Sequence, residues 1–371
     1  MSDQRTPAAV DGDSADRSVV EQERDELRGF ISELSPGDIK SGGWFTKLLA
    51  QSLSTYTEKA DWQYFRSKYT GLPPDAIVNQ RIQMAARYAA IEGGLSASAY
   101  TGAVAATIGT LGGASPATVP AAVATMMVDV AYTTQLQLRL AYDISVLYRV
   151  PVDTSDPDDL WKLIRIAFTI KSGEVVREGV LKTVPAMMRP VIKRFYSKSV
   201  LNAAKGLPFV GKYLLQRNVI KIGIPLIGVP LAVVVNRQTT LIAGRHARAV
   251  FRNEARIIEI AENLTKLTRH PNLMLWLAWL VTMADDKITD DEALLLRHLV
   301  TLVEQHHEVV DDELARLITI DPAEVWRRLD AEQGDLSDLI DAAQQVAAVD
   351  GPANVRERAV IAEIRERCER T

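Results

Sequence analysis

The sequence predicts an all-α protein of two helical domains. Three observations carry that expectation. Apolar residues recur at helical spacing between Gly/Pro breaks, and no segment sustains the apolar/polar alternation of a strand. A long run of small, uncharged residues has the form of a helical hairpin. The last hundred residues contain a helix–loop–helix repeat at an offset of 65. The 371 residues, 47% apolar and 24% charged, are a foldable composition rather than that of a disordered chain.

Residues 1–20 are polar and rich in Asp, Ser and Ala, and read as a disordered tail ahead of an acidic helix from Val20 to Leu34. Ser35-Pro36-Gly37 and Ser41-Gly42-Gly43 break the chain. A helix then follows from Trp44 to about Tyr69, through Phe45, Leu48, Leu49 and Leu53. Gly71-Leu72-Pro73-Pro74 ends it, and Asp75 is placed to cap the next helix.

From Gly93 to Val128 there is no charged residue and no histidine, and 24 of these 36 residues are Gly, Ala, Ser or Thr. Ser98, Gly102 and Ala106 fall four apart, a spacing that lets helix backbones approach closely. Gly112-Gly113-Ala114-Ser115-Pro116 supplies a turn, with a second arm from about Thr118 towards Tyr148. The hairpin has two readings, packed inside a helical domain or inserted in lipid. Residues 94–113 contain few strongly apolar side chains, and Asp129, Gln135, Gln137 and Arg139 follow soon in the second arm, which favours the first. A second apolar run, Ile222 to Asn236, contains Pro225, Gly228 and Pro230 and reads as a broken, buried or interfacial helix.

Charge is distributed unevenly. Residues 179–253 contain no Asp or Glu and 13 Lys and Arg, a net of +13; residues 254–371 carry a net of -12 and residues 1–178 a net of -5. In the basic middle, Lys182, Arg189, Lys193, Arg194, Lys198, Lys205, Lys212, Arg217 and Lys221 sit among Val, Met, Phe, Tyr and Leu. Such a stretch suits an anionic membrane surface, or pairs with the acidic end of the chain. Nucleic acid is the weaker rival: Phe195, Tyr196 and Tyr213 could stack bases, but no recognised binding motif accompanies them.

In the repeat, Ala284 to Glu292 aligns with Val349 to Glu357, each with an apolar helix on either side. Thr289-x-x-Glu292 and Asn354-x-x-Glu357 are capping-box sequences. The same loops offer a second reading, a divalent cation held by Asp285, Asp286, Glu292, Asp350 and Glu357, without the ligand density of a calcium-binding EF-hand. Two related units of this kind should pack face to face.

Two family resemblances follow from these features. The stretch from about Ile82 to Phe251 resembles the EcsC family of bacterial proteins. The Gly/Ala-rich hairpin from Gly93, the Asp129 to Arg139 helix, Tyr148 and Asp153, Leu207-Pro208-Phe209-Val210-Gly211, and Pro225, Gly228, Asn236, Gly244 and Ala247 carry it. After Tyr148, where the family pattern has glycine, this chain has Arg149. Residues 264–371 resemble the TerB family, associated with tellurite resistance and stress response. Asp350-Gly351 matches its loop, and Asp286 stands where glycine is usual in the other. The resemblances imply a helical bacterial domain loosely linked to membrane transport, followed by a small helical bundle with acidic residues suspected of metal contact. They imply no catalytic activity.

The domain expectation is therefore a tail over 1–20, an EcsC-like helical domain over 21–255 and a TerB-like helical domain over 264–371. No Walker loop, nucleophile elbow, HExxH or dinucleotide fingerprint is present, and the five histidines form no metal-binding pattern. One cysteine, Cys368, leaves no internal disulfide and fits a reducing compartment. No basic region followed by an apolar stretch opens the chain, so no secretory signal is expected. The functional expectation is a non-enzymatic adaptor or stress-response protein of the cytoplasm, peripheral on the inner face of the membrane. Its acidic C-terminal domain would contact a protein partner or a cation, with no catalytic residue and no cofactor. The alternative is an enzyme of unrecognised chemistry in the first domain, with Asp129 and Arg139 as its first polar candidates.

Overall fold

A computed structural model describes residues 7–109, 115–169, 228–284, 288–307 and 321–370. Every element among them is a helix and none is a strand, so the fold is all-α. The chain forms two compact units, Met1–Phe251 and Arg252–Thr371.

The first unit is built on a hairpin of two long helices, α6 (Pro74–Gly109) and α7 (Ser115–Leu147), the most extensively packed pair among the described residues. Its connection, 110–114, lies outside the described residues. Around it are α1 (Pro7–Ser32), α2 (Pro36–Ser41), α3 (Gly43–Ser52), α4 (Ser54–Thr57), α5 (Trp62–Lys68), α8 (Pro157–Ala167) and the first part of α9 (Gly228–Leu267). Glycine sets the approach of α9. A Cβ on Gly93 would meet the carbonyl oxygen of Ala232 at 2.8 Å, and one on Gly244 would meet Ile82 Cγ1 at 2.9 Å and Leu140 Cδ2 at 3.0 Å. Among the described residues, close backbone approach is confined to the start of the small-residue stretch, at Gly93 and Gly94; Ser98 and Gly102, expected to let backbones approach, are exposed, and a Cβ on Gly102 would meet nothing within 4 Å. No helix among the described residues is long and apolar enough to cross a membrane.

Two expectations are corrected here. Residues 7–20 are helical rather than a tail, because α1 extends from Pro7 and lies along α6 and α7. Its inner face is Val20, Arg24, Leu27 and Phe30, all buried, with Asp16 paired to Arg87 at the N-terminal end. Helical spacing is present, but two of the face positions are charged, and the apolar period is lost. The expected single helix over 44–69 is instead three. Ser52 and Ser54 hydrogen-bond back to the carbonyls of Leu48 and Ala50, a habit that bends helices, and Asp61 caps α5 through the Tyr64 amide at 2.7 Å.

The broken apolar run becomes the start of α9. Pro230 falls in its first turn, where a missing N–H breaks no helical hydrogen bond. Residues 222–227 lie outside the described residues.

The second unit holds the rest of α9 with α10 (Pro271–Thr282), α11 (Asp290–His307), α12 (Pro322–Ala331), α13 (Ser337–Ala347) and α14 (Val355–Arg370). Every residue of α10 from Leu273 to Thr282 is buried, and all four following helices touch it. A helix apolar on all sides is one surrounded by others. The repeat is realised as α10–α11 and α13–α14, with α10 packed on α13. Arg328 covers the Trp276 ring at 3.9 Å and Arg367 the Trp326 ring at 4.8 Å, closing the outer edge with cation–π contacts.

Candidate functional site

The first unit carries a buried line of polar side chains. On α7, Asp129, Tyr132, Arg139 and Asp143 are spaced so that they share one helix face. They face polar groups of α1, α4, α6 and α9, and fall into three clusters.

The deepest cluster joins α1, α6, α7 and α9. Glu92 is fully buried. Asn236 Nδ2 donates to Asp129 Oδ1 at 2.8 Å and lies 3.5 Å from Glu92 Oε2. The Ser96 hydroxyl donates to Glu92, and Arg24 Nε lies 3.5 Å from Glu92 Oε1. Burial pushes the Glu92 carboxyl well above the ordinary carboxylate range, and the charge of Asp129 and a hydrogen bond to it add to the shift. Ser96 and Arg24 oppose it. Glu92 therefore keeps its proton to a higher pH than an exposed carboxyl does.

Nearly three turns further along α7, Arg139 pairs with Glu23 at 3.1 Å and covers the Tyr56 ring at 4.9 Å. With the Gln135 amide turned so that its oxygen faces the guanidinium, it accepts from Arg139 at 2.7 Å. In the third cluster Asp143 is fully buried. Arg81 contacts its Oδ2 through Nε at 2.9 Å and through Nη2, and the Tyr56 hydroxyl donates to Oδ1 at 2.7 Å. Burial pushes the Asp143 carboxyl up, while Arg81 and Tyr56 act against that. The two guanidinium contacts and the phenol satisfy the carboxylate, which decides for an ion pair.

Asp129 and Arg139 thus belong to different clusters. Neither they nor Glu92 line any of the three grooves described in the molecule. Through these contacts each cluster ties neighbouring helices together.

Two grooves lie at the other end of α7. Both are lined by Trp62 and Arg149, and their volumes are about 350 and about 730 Å³. The larger also takes Arg66, Tyr69 and Tyr148. Arg149 has φ of 57°, in the left-handed region that glycine adopts without penalty, and its guanidinium lies over the Trp62 ring at 4.6 Å.

A third surface is the outward face of α9. Val234 and Ile242 are 53% and 55% exposed, large fractions for such side chains, and Arg237 and Arg245 follow each by three residues and are exposed too.

In the second unit the repeat loops are capped as their sequences indicate. The Thr289 amide donates to Glu292 Oε2 at 2.8 Å, and the Glu292 amide to Thr289 Oγ1 at 3.3 Å. The Asn354 amide donates to Glu357 Oε2 at 2.8 Å, and the Glu357 amide to Asn354 Oδ1 at 3.0 Å. Burial raises the Glu292 carboxyl above its ordinary range; its cap hydrogen bonds act the other way, and the charges of Asp350 and Glu357 add to the rise. The fold thus brings Glu292, Asp350 and Glu357 into electrostatic range. Asp285 and Asp286 lie outside the described residues. Among the described residues no three His, Cys, Asp or Glu side chains form a group able to hold a metal ion. The basic residues Lys182, Arg189, Lys193, Arg194, Lys198, Lys205 and Lys212 also lie outside the described residues.

Sequence reasoning singled out Asp129 but missed Glu92, Arg24 and Asn236. A signal existed for the first. Glu92 and Asp129 are the charged residues that bracket the uncharged run, so closing the hairpin brings them together. Comparison of the chain with protein-family models, with curated proteins and with solved structures finds no match.

Proposed function

We propose that this chain is a non-enzymatic adaptor that sits peripherally on an anionic membrane surface, and that its acidic C-terminal unit contacts a protein partner. The outward face of α9 carries this reading. It repeats an exposed apolar residue followed three positions later by an exposed arginine, Val234 with Arg237 and Ile242 with Arg245. It lies within the acid-free span 179–253. Apolar side chains that enter the acyl boundary beside arginines that meet phosphate describe an interfacial helix. Each arginine near an anionic leaflet contributes about 1 kcal/mol. The basic stretch from Lys182 to Lys212 adds charge of the same sign, and the resemblance to the EcsC family accords with a membrane-linked role. The alternative, an enzyme using Asp129 and Arg139 together, has no geometric support, because each has its own partners.

The test is co-sedimentation with lipid vesicles. Vesicles rich in anionic lipid should carry the protein down and zwitterionic vesicles should not. Raising salt should release it, since charges are screened beyond about 8–10 Å at physiological ionic strength. Equal sedimentation with both lipids, or none with either, contradicts the proposal.

A further inference from the structure

The geometry points to a second, independent site: we infer that the groove between α5 and the end of α7 binds a phosphomonoester carrying a flat apolar body. Three observations converge there. First, Arg66 and Arg149 both line the groove and are exposed, and neither forms an ion pair with a carboxylate among the described residues. Asp75, whose chain neighbour Pro74 lines the groove, is engaged by the Tyr148 hydroxyl and by Arg248 at 3.2 Å. The groove therefore presents two uncompensated guanidiniums, whose planar forks match phosphate oxygens.

Second, Arg149 occupies a left-handed backbone conformation, φ 57°, that a side chain with a Cβ adopts at a penalty. The conformation belongs to the helix end: Arg149 is the left-handed residue of a Schellman cap on α7, its amide bonding to the Val146 carbonyl at 3.0 Å. Here the Val150 amide bonds back to the Ser145 carbonyl at 2.9 Å, and Trp62 holds the guanidinium from one side at 4.6 Å. The strained residue is also the one shared, with Trp62, by both grooves.

Third, the remaining wall is largely aromatic. Trp62, Tyr69 and Tyr148 line it with Pro73, and the volume of about 730 Å³ falls in the range of small-molecule sites. The arginines fix the phosphate and the rings take the flat body. The ester could come from a soluble metabolite or from a lipid headgroup; the chemistry recognised is the same.

Isothermal titration of the full chain with phenyl phosphate tests this, with benzyl alcohol and inorganic phosphate as controls. Phenyl phosphate should bind, inorganic phosphate more weakly, and benzyl alcohol not measurably. Arg149→Gly is the informative variant, because glycine relieves the backbone and the fold should survive. Its affinity for phenyl phosphate should fall at least tenfold while its unfolding midpoint does not drop. Arg66→Gln should weaken binding in the same direction. To separate the two sources, Arg237→Glu/Arg245→Glu removes the α9 face and leaves the groove. If that variant still binds phosphatidic-acid vesicles, and phenyl phosphate competes them off, the headgroup is the source. If it binds phenyl phosphate but not the vesicles, the source is soluble. Both outcomes uphold the groove and neither depends on the α9 face. No heat with phenyl phosphate at millimolar concentration, or equal affinity in Arg149→Gly and the unmodified chain, would overturn the inference.

Discussion

Glu92 departs from ordinary carboxyl chemistry. A carboxyl buried beside Asp129 keeps its proton to a higher pH when folded than when unfolded. Near its ordinary value of 4.5 the unfolded chain releases that proton while the folded chain still binds it. From there to the folded value, the unfolded state holds fewer protons, so stability falls as pH rises. The contribution of Glu92 is fully present below pH 4.5 and is lost as pH climbs through the raised folded value. Glu92→Gln replaces the protonated acid by a neutral group of the same shape. Its melting temperature, minus that of the unmodified chain, should therefore grow from acid towards neutral pH. A difference that is flat with pH would mean that Glu92 is ionised in the fold.

At the scale of elements, the helix contacts rest on glycine and on caps. Gly93→Ala gains roughly 1 kcal/mol of helix propensity. It also drives a methyl into the Ala232 carbonyl, which belongs to helix backbone and cannot swing aside. Overpacking of this kind costs about 1–3 kcal/mol, so the clash should win and denaturant unfolding should show net destabilisation. Asn354→Ala removes the side-chain half of a cap and should cost about 1 kcal/mol, whereas Glu357→Gln should cost little, because Gln also serves in a capping box. Since both cap glutamates are committed to backbone amides, the melting temperature should not change between calcium, magnesium and chelator. A rise of several degrees with either ion would instead favour the cation reading of Glu292, Asp350 and Glu357.

These elements also show how much the sequence discloses. The hairpin was legible because its signal is local: small residues at helical spacing around a Gly-Gly-Ala-Ser-Pro turn. The capping boxes were legible for the same reason, being complete within four residues. The inner face of α1 was not, because Asp16 and Arg24 interrupt its apolar period and find their partners, Arg87 and Glu92, only on another helix. The break between α3 and α5 lacked glycine or proline and turned on serine back-bonding. The Asn236 tie to Asp129 spans 107 residues, and nothing near either residue announces the other. The left-handed conformation of Arg149, which ends α7, is a backbone property that no local run of residues announced.

At the scale of the whole molecule, a net charge of -4 conceals an acid-free basic middle and an acidic end. The described part of that middle is the helix face that repeats Val234, Arg237, Ile242 and Arg245. A face of this composition is the feature a bilayer would recognise, through shallow apolar insertion and paired charge. The most direct measurement places an environment-sensitive fluorophore on that face. In a Cys368→Ser background, Ile242→Cys carries the label, and Gln22→Cys, exposed on α1, serves as the reference position. Adding anionic vesicles should shift the emission of the label at 242 to the blue, as it enters the acyl boundary, and leave the reference unchanged. High salt should reverse the shift. A label at 242 that reports water in the presence of anionic vesicles, or one that shifts equally at both positions, would contradict the account.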